Sequence, residues 1–366
     1  MKFKNKNILL ISPEPWDHIF VSKHHYATNL AKRGNKVYFL NPPSERSECG
    51  STDYNNVFSV HYRGFISGLR FFPSIIQKQL FRKKFNELQI QCQVQFDLVW
   101  SFDNSVFFDF SALPKNVYCI SHIVDLNQDF QFAKAARTAD LCIGVIDRIV
   151  DKLKIYNNKS FKIKHGVNFN ESNRRNIRLP GNNEVKALYA GNLDMKHINW
   201  SVLYQTIPKF ENKIDFIFIG DNHNIFSNET KREVKKLKNA YFISRVKSEE
   251  LLDLLQNADI LFLSYLSSYD HDCAFPHKLF EYLYTGNYVI SNWIETYKDI
   301  IDEVDICISR NQIEYFNCFQ HAYKKLIENS KSFNYKNSAF AQKHSYQNQI
   351  TKIEKIIEED INNNRH

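Results

Sequence analysis

Phe275-Pro-His-Lys-Leu-Phe-Glu-Tyr-Leu-Tyr-Thr-Gly-Asn-Tyr-Val-Ile290 is the stretch on which the reading of this chain turns. Pro276 suits the first position of a helix and Gly286 the position just past its end, while Tyr288-Val-Ile290 opens a strand. A short helix therefore enters the edge of a sheet. Lys278 and Glu281 are three residues apart and share one helix face. A carboxylate so placed can accept two hydrogen bonds from ribose hydroxyls, and the lysine can meet phosphate or a sugar carboxylate. A solvated ion pair would use the same two residues without any ligand. The position at the end of a sheet favours the site.

Working outward, short β-branched and apolar runs alternate with longer helical patterns along the whole chain, the sequence form of βαβ units and a parallel sheet. In the first half, strands are expected at residues 7–12, 36–41, 57–62, 97–102, 117–121, 141–145 and 161–165. The second half begins again at 185–190 and continues at 215–220, 240–244, 259–264, 288–291 and 306–309. Between the halves, a polar stretch ending in Leu179-Pro-Gly-Asn-Asn183 reads as a linker. The expected division is a Rossmann-like domain over 1–168, a linker over 169–184 and a second Rossmann-like domain over 185–335. Residues 336–366 are expected to be a helix crossing back to the first domain, with helical patterns at 312–330 and 339–362.

Composition sets the outer limits. The 366 residues are 43% hydrophobic and 14% aromatic, ample for two packed cores. The apolar run after the basic start, Ile8-Leu-Leu-Ile11, is too short for a signal peptide, and no stretch reaches the ~18 apolar residues of a spanning helix. A cytoplasmic protein is expected. Seven scattered cysteines lack metal-site spacing, so neither a disulfide nor structural zinc is expected. The charge of +8 suits an anionic substrate or surface. Nucleic acid is not expected, because the aromatics follow core periodicity and no module pattern appears.

Doubly wound sheets bind ligands beyond the carboxyl ends of their strands. The first such loop, Ser12-Pro-Glu-Pro-Trp-Asp-His18, contains no glycine, which excludes a dinucleotide fingerprint or a P-loop there. In the second half, Gly191-Asn-Leu-Asp-Met-Lys196 follows a strand. One glycine lets backbone approach a diphosphate and Lys196 can neutralise it; an ordinary turn with a solvated lysine fits equally.

Pro276-x-Lys278-x-x-Glu281-Tyr282, followed by Gly286 and a strand, resembles the donor-binding segment of GT-B glycosyltransferases of the large family four. Ala190-Gly-Asn-Leu-Asp194, Phe218-Ile-Gly-Asp221, Glu249-Glu-Leu-Leu252 with Asn257-Ala-Asp-Ile260, His165-Gly-Val-Asn168 and Asn29-Leu-Ala-Lys-Arg-Gly-Asn-Lys-Val37 match in order and spacing. The chain is also similar to the xanthan glucuronosyltransferase type, in which Lys-Leu-Leu-Gln-Tyr stands in place of Lys278 to Tyr282. The resemblance implies an α/β GT-B fold, two Rossmann-like doubly wound domains facing across a cleft. It implies transfer of a hexose-type sugar from a UDP- or GDP-linked donor as co-substrate, with no further cofactor, in polysaccharide assembly. Pro276, His277, Lys278 and Glu281 would grip the donor, Gly191, Asn192 and Lys196 its diphosphate, and Arg245 and Val246 would lie beside the base. Two positions depart from the pattern: Cys273 stands where a second glutamate is usual, and Asn192 where an arginine is.

On the acceptor side, transfer favours a carboxylate or imidazole on a loop of the first domain. His122 and Asp125, after the strand at 117–121, are the catalytic candidates, although a histidine after a strand is often structural. Glu14, Asp17, His18 and His24 can line the acceptor groove. Adjacent His24 and His25 point apart on a helix, so no metal is expected. Residues 69–85 place Phe72, Ile76 and Leu80 among Lys78, Arg82, Lys83 and Lys84. Such a segment can rest on anionic lipid near a polyprenyl-linked acceptor, or pack on the sheet with a solvated basic edge. A sugar-nucleotide 2-epimerase of the same fold and a non-catalytic sugar-nucleotide-binding scaffold remain alternatives.

Overall fold

The computed structural model describes residues 2–18, 20–126, 130–169, 176–221, 228–272, 275–329 and 333–363. Cys273 and residues 127–129 and 170–175 lie outside them. The chain divides into two compact units, Met1–Gly166 with Tyr346–His366, and Val167–Ser345.

The first unit runs β1 (Asn7–Ile11), α1 (Ser22–Lys32), β2 (Lys36–Leu40), β3 (Glu48–Ser51), β4 (Val57–His61), α2 (Ser74–Cys92), β5 (Leu98–Ser101), β6 (Tyr118–Ile123), α3 (Phe132–Thr138), β7 (Leu141–Gly144), α4 (Asp147–Lys154) and β8 (Ser160–Lys162). Its sheet order is β3-β4-β2-β1-β5-β6-β7-β8, parallel except for β3 against β4. The apolar runs became strands because both faces of a parallel sheet are covered, and Ile8, Leu9 and Leu10 are completely buried. β3 was not expected. Its sequence, Glu-Cys-Gly-Ser, carries no apolar alternation, and it forms only an exposed antiparallel edge.

The second unit runs β9 (Val185–Ala190), α5 (Trp200–Thr206), β10 (Ile214–Ile219), α6 (Glu229–Lys235), β11 (Ala240–Ile243), α7 (Ser248–Asn257), β12 (Ile260–Leu263), α8 (Tyr269–Asp272), α9 (Lys278–Tyr284), β13 (Tyr288–Asn292), β14 (Cys307–Ser309), α10 (Gln312–Asn329) and α11 (Tyr335–Lys343). The sheet is β11-β10-β9-β12-β13-β14, with every pair parallel. Buried Asp215 on β10 pins the stretch before β9, accepting from the Asn183 amide and from Lys186 Nζ at 2.8 and 2.6 Å.

The chain returns to the first unit as α12 (Tyr346–Asn363), which packs on α1. Arg33 donates to Glu354, the Gln347 carbonyl and Thr351 at 2.5–2.6 Å. The single pattern read over 339–362 is in fact two helices, broken at His344 and Ser345, where Ser345 bridges Val167. The expectation of no disulfide is also corrected. Cys307 on β14 and Cys318 on α10 are bonded, because the strand-to-helix turn brings their Cα atoms to 5.8 Å. Among the described residues, no helix is long and apolar enough to cross a membrane.

Candidate functional site

In the second unit the strand order reverses between β9 and β12, so their carboxyl ends open the crevice of a doubly wound sheet. The loops beyond them are tied together. Ser264 O accepts from the Asn199 amide at 3.0 Å and His197 O from the Leu266 amide at 2.7 Å.

Helix α9 is held against the end of β9 by two side chains one turn apart. Tyr282 OH accepts from the Ala190 amide at 2.9 Å, and Lys278 Nζ donates to Tyr189 OH at 2.9 Å while lying 4.2 Å from that ring's centre. Lys278 also occupies the space a side chain at 191 would need: a Cβ there would stand 2.1 Å from Nζ. Gly191 has φ +147 and Gly220 φ +150, and a Cβ on Gly220 would meet the Gly191 carbonyl oxygen at 1.8 Å. Both positions require glycine. The result is bare backbone beside a cation at the switch point, an arrangement able to hold an anion such as a diphosphate.

Further side chains fix this turn. Asn192 Oδ1 accepts from the Asp194 amide at 2.8 Å, and Lys231 on α6, itself buried, binds Asp194 at 2.7 Å. Burial pushes the partly exposed Glu281 carboxyl up to about 7, against the pull of Lys278. Pro276 is buried and precedes His277, the residue capping α9. The helix therefore starts two residues later than Pro276 suggests, because the first bonds, Leu279 to Pro276 and Phe280 to His277, are tight three-residue turns. Lys196 and Asn192 are exposed, as is Arg245, which with half-buried Val246 follows the edge strand β11.

In the first unit the reversal falls between β1 and β5. Lys23 on α1, 4% exposed, binds Glu14 through both carboxylate oxygens at 2.8 and 2.9 Å. Burial raises the half-buried Asp125 above the usual carboxylate range, with Lys23 pulling it down and Glu14 pushing it up. Glu14 thus pairs with a buried ammonium whose charge also acts on Asp125. Asp17 and His18 are exposed at the loop tip. His24 is a structural link: Nδ1 accepts from the Val21 amide at 3.3 Å, Nε2–H donates to Pro15 O at 3.0 Å, and burial lowers its pKa to about 4.

His122 is placed differently from its expected loop. It lies inside β6, which runs two residues further than its apolar pattern suggests, and is 1% exposed. Its ring stacks on Phe102 at 4.6 Å and its Nδ1 accepts from Trp100 Nε1 at 3.3 Å. The acceptor nitrogen is therefore occupied, and Nε2 is buried with no partner among the described residues. Burial, helped by Lys23, drops its pKa to about 3.

Sequence reading missed Lys23, Tyr189 and Lys231. Tyr282 was present in the motif, and its spacing of four from Lys278 was the available signal; the other three become visible only when distant elements pack.

The two doubly wound parallel sheets make this an α/β protein with the GT-B fold. The chain is similar over its whole length to solved structures of that fold. A sucrose-phosphate synthase from Thermosynechococcus elongatus aligns with TM-score 0.70 and 13% identity, covering 97% of this chain and 99% of that one. A glycosyltransferase from Rickettsia africae ESF-5 aligns with TM-score 0.69 and 15% identity over 97% and 98%. A trehalose-6-phosphate structure from E. coli, bound with UDP-2-fluoro glucose, aligns with TM-score 0.67 and 10% identity over 96% and 98%. No protein-family model and no curated protein matches the sequence.

Proposed function

We propose that the protein is a glycosyltransferase of the family-four kind, moving a hexose-type sugar from a UDP- or GDP-linked donor to a saccharide or polyprenyl-linked acceptor in cell-surface polysaccharide assembly. The observation that carries this reading is Lys278 Nζ beside the Cβ-less Gly191 at the β9–β12 switch point. A donor diphosphate would take the place of Tyr189 OH as the partner of Lys278, with Lys196 adding charge and no metal required. Glu281 would accept from the ribose hydroxyls and Arg245 with Val246 would flank the base. A glycosyltransferase structure from Rickettsia africae and one bound with UDP-2-fluoro glucose share the fold, which supports the reading.

On the acceptor edge, Asp125 would receive the proton shed by the attacking hydroxyl. Its raised pKa brings it closer to neutrality, where a base is efficient. His122 is the weaker of the two candidates, since its accepting nitrogen is committed to Trp100. Glu14, Asp17 and His18 would shape the groove.

A cytoplasmic protein resting on anionic lipid through residues 69–85 fits the exposed surface. Phe71 and Ile75 are 75% and 72% exposed, with Arg70, Arg82 and Lys83 exposed around them. The buried face of α2 is Phe81, Phe85 and Leu88 instead.

A thermal-shift screen of nucleoside diphosphates and sugar nucleotides, repeated in EDTA, tests the donor side; a ligand at 100 times its Kd adds about 2.7 kcal/mol. No stabilisation by any of them would sink the reading. Incubation with donor alone separates an epimerase, which changes the sugar without an acceptor. Unchanged transfer in Glu281→Ala would remove that residue from the site.

A further inference from the structure

The four free cysteines of the first unit fall into two kinds. Cys119 and Cys142 are buried in β6 and β7, their thiols directed at the Val117 and Ala136 carbonyls, and burial raises both pKa values. Such thiols are inert. Cys49 and Cys92 are half-buried, one on edge strand β3 and the other the last residue of α2.

The two half-buried thiols are close enough for each to be the largest influence on the other's pKa, and hydrogen bonds beside them hold their two elements together. Gln91, next to Cys92, accepts from Ser47 Oγ and donates to the His61 carbonyl, both at 2.9 Å. His61 is the register partner of Glu48, and Cys49 that of Val60, so Gln91 stitches the β3–β4 hairpin to the last turn of α2 beside the thiols. Interaction with Cys92 lowers the pKa of Cys49, while Cys49 and burial raise that of Cys92. A lowered thiol beside a raised one suits a nucleophile with a resolving partner.

We propose that Cys49 and Cys92 are a reversible modification site, a dithiol that low-molecular-weight disulfides oxidise to an intramolecular disulfide. The Cys49 thiolate attacks one sulfur of the small disulfide, forming a mixed disulfide and releasing one small thiolate, which takes up a proton. Cys92 then loses its proton and attacks the Cys49 sulfur, expelling the second small thiol. The protein loses two hydrogens and the reagent becomes two thiols. The new bond fastens the edge strand to the end of α2 and closes the chain between them, including the exposed Phe71 and Ile75.

The test uses the full chain in mixtures of oxidised and reduced glutathione, followed by acid quenching, alkylation and peptide mapping. The expected result is a Cys49–Cys92 cross-linked peptide that disappears on reduction, with Cys119 and Cys142 still alkylated only after unfolding. In Cys92→Ser the reaction should stop at glutathione on Cys49. In Cys49→Ser, Cys92 should react slower than Cys49 does in the unaltered chain, by on the order of tenfold or more. Stable glutathione on both residues without a cross-link, or oxidation of Cys119 and Cys142 ahead of this pair, would overturn the proposal. The map of the unaltered chain decides it even if a variant folds poorly.

Discussion

The two sheets reverse direction in the same way, between β1 and β5 in one unit and β9 and β12 in the other, yet their edges are armed oppositely. In the second unit the cation Lys278 lies against bare backbone at Gly191, with a neutral tyrosine as its partner. In the first, the ammonium of Lys23 is already neutralised by Glu14 and has Asp125 nearby. Lys278 has a hydroxyl for its hydrogen-bond partner, whereas Lys23 already has a carboxylate. An anionic donor suits the former, and a hydroxyl that must lose a proton suits the latter.

The sharpest way to break this contrast is to neutralise the proposed base. Asp125→Asn keeps the shape and removes proton acceptance, so kcat for transfer should fall about a hundred- to ten-thousand-fold, the usual contribution of a positioned base, with donor affinity unchanged. A drop of less than about threefold would exclude Asp125 from proton transfer. On the other edge, Lys278→Ala should weaken sugar-nucleotide binding about ten- to a hundredfold, measured by calorimetry, since a hydrogen bond to a charged group contributes about 1.5–3 kcal/mol. Gly191→Ala should do the same from the backbone side, because its Cβ would stand 2.1 Å from Lys278 Nζ. Normal donor binding in both variants would take the anion site away from this turn.

Particular elements show how much of this was legible in the sequence. Runs such as Ile8-Leu-Leu-Ile11 and Val185 to Ala190 were readable because strands buried on both faces must be apolar throughout. β3 was not, since an exposed edge strand imposes no such pattern and pairs only because β4 lies beside it. The Pro276 to Glu281 motif was legible as a helix start leading into a strand. What it rests on was less so: Tyr189 lies 89 residues from Lys278, and Lys231 reaches Asp194 across 37. His122 was misplaced because the strand was read as ending at polar Ser121, while the hydrogen-bonded ladder with β7 continues to Ile123. An imidazole inside aromatic packing looks, in one dimension, like an imidazole on a loop.

That buried histidine should make the first unit acid-sensitive. Its pKa falls from 6.5 to about 3 on folding, so between those values the unfolded chain binds more protons than the folded one. The contribution is complete above pH 6.5 and is lost as pH falls toward about 3. From pH 6.5 to 5 the loss should be about 2 kcal/mol, readable as faster amide exchange in β6. His122→Phe should flatten that slope, whatever it does to absolute stability. A slope unchanged by the substitution would assign the acid sensitivity to other groups.

Glu281 reverses the sign and gives the gentlest test of the comparison. Its folded pKa is raised from 4.5 to about 7, so its neutral form favours folding below pH 4.5 and that contribution is lost as pH rises through about 7. Ribose hydroxyls, however, donate to the ionised form, so the pH that relaxes the fold should tighten the donor. Between pH 6 and 8 the affinity for a sugar nucleotide should rise about tenfold, following the ionised fraction, while Glu281→Gln should bind more weakly and without that trend. The same rise persisting in Glu281→Gln would trace the titration to the donor's phosphates. The Lys278–Gly191 anion site would stand, and the ribose would need another partner.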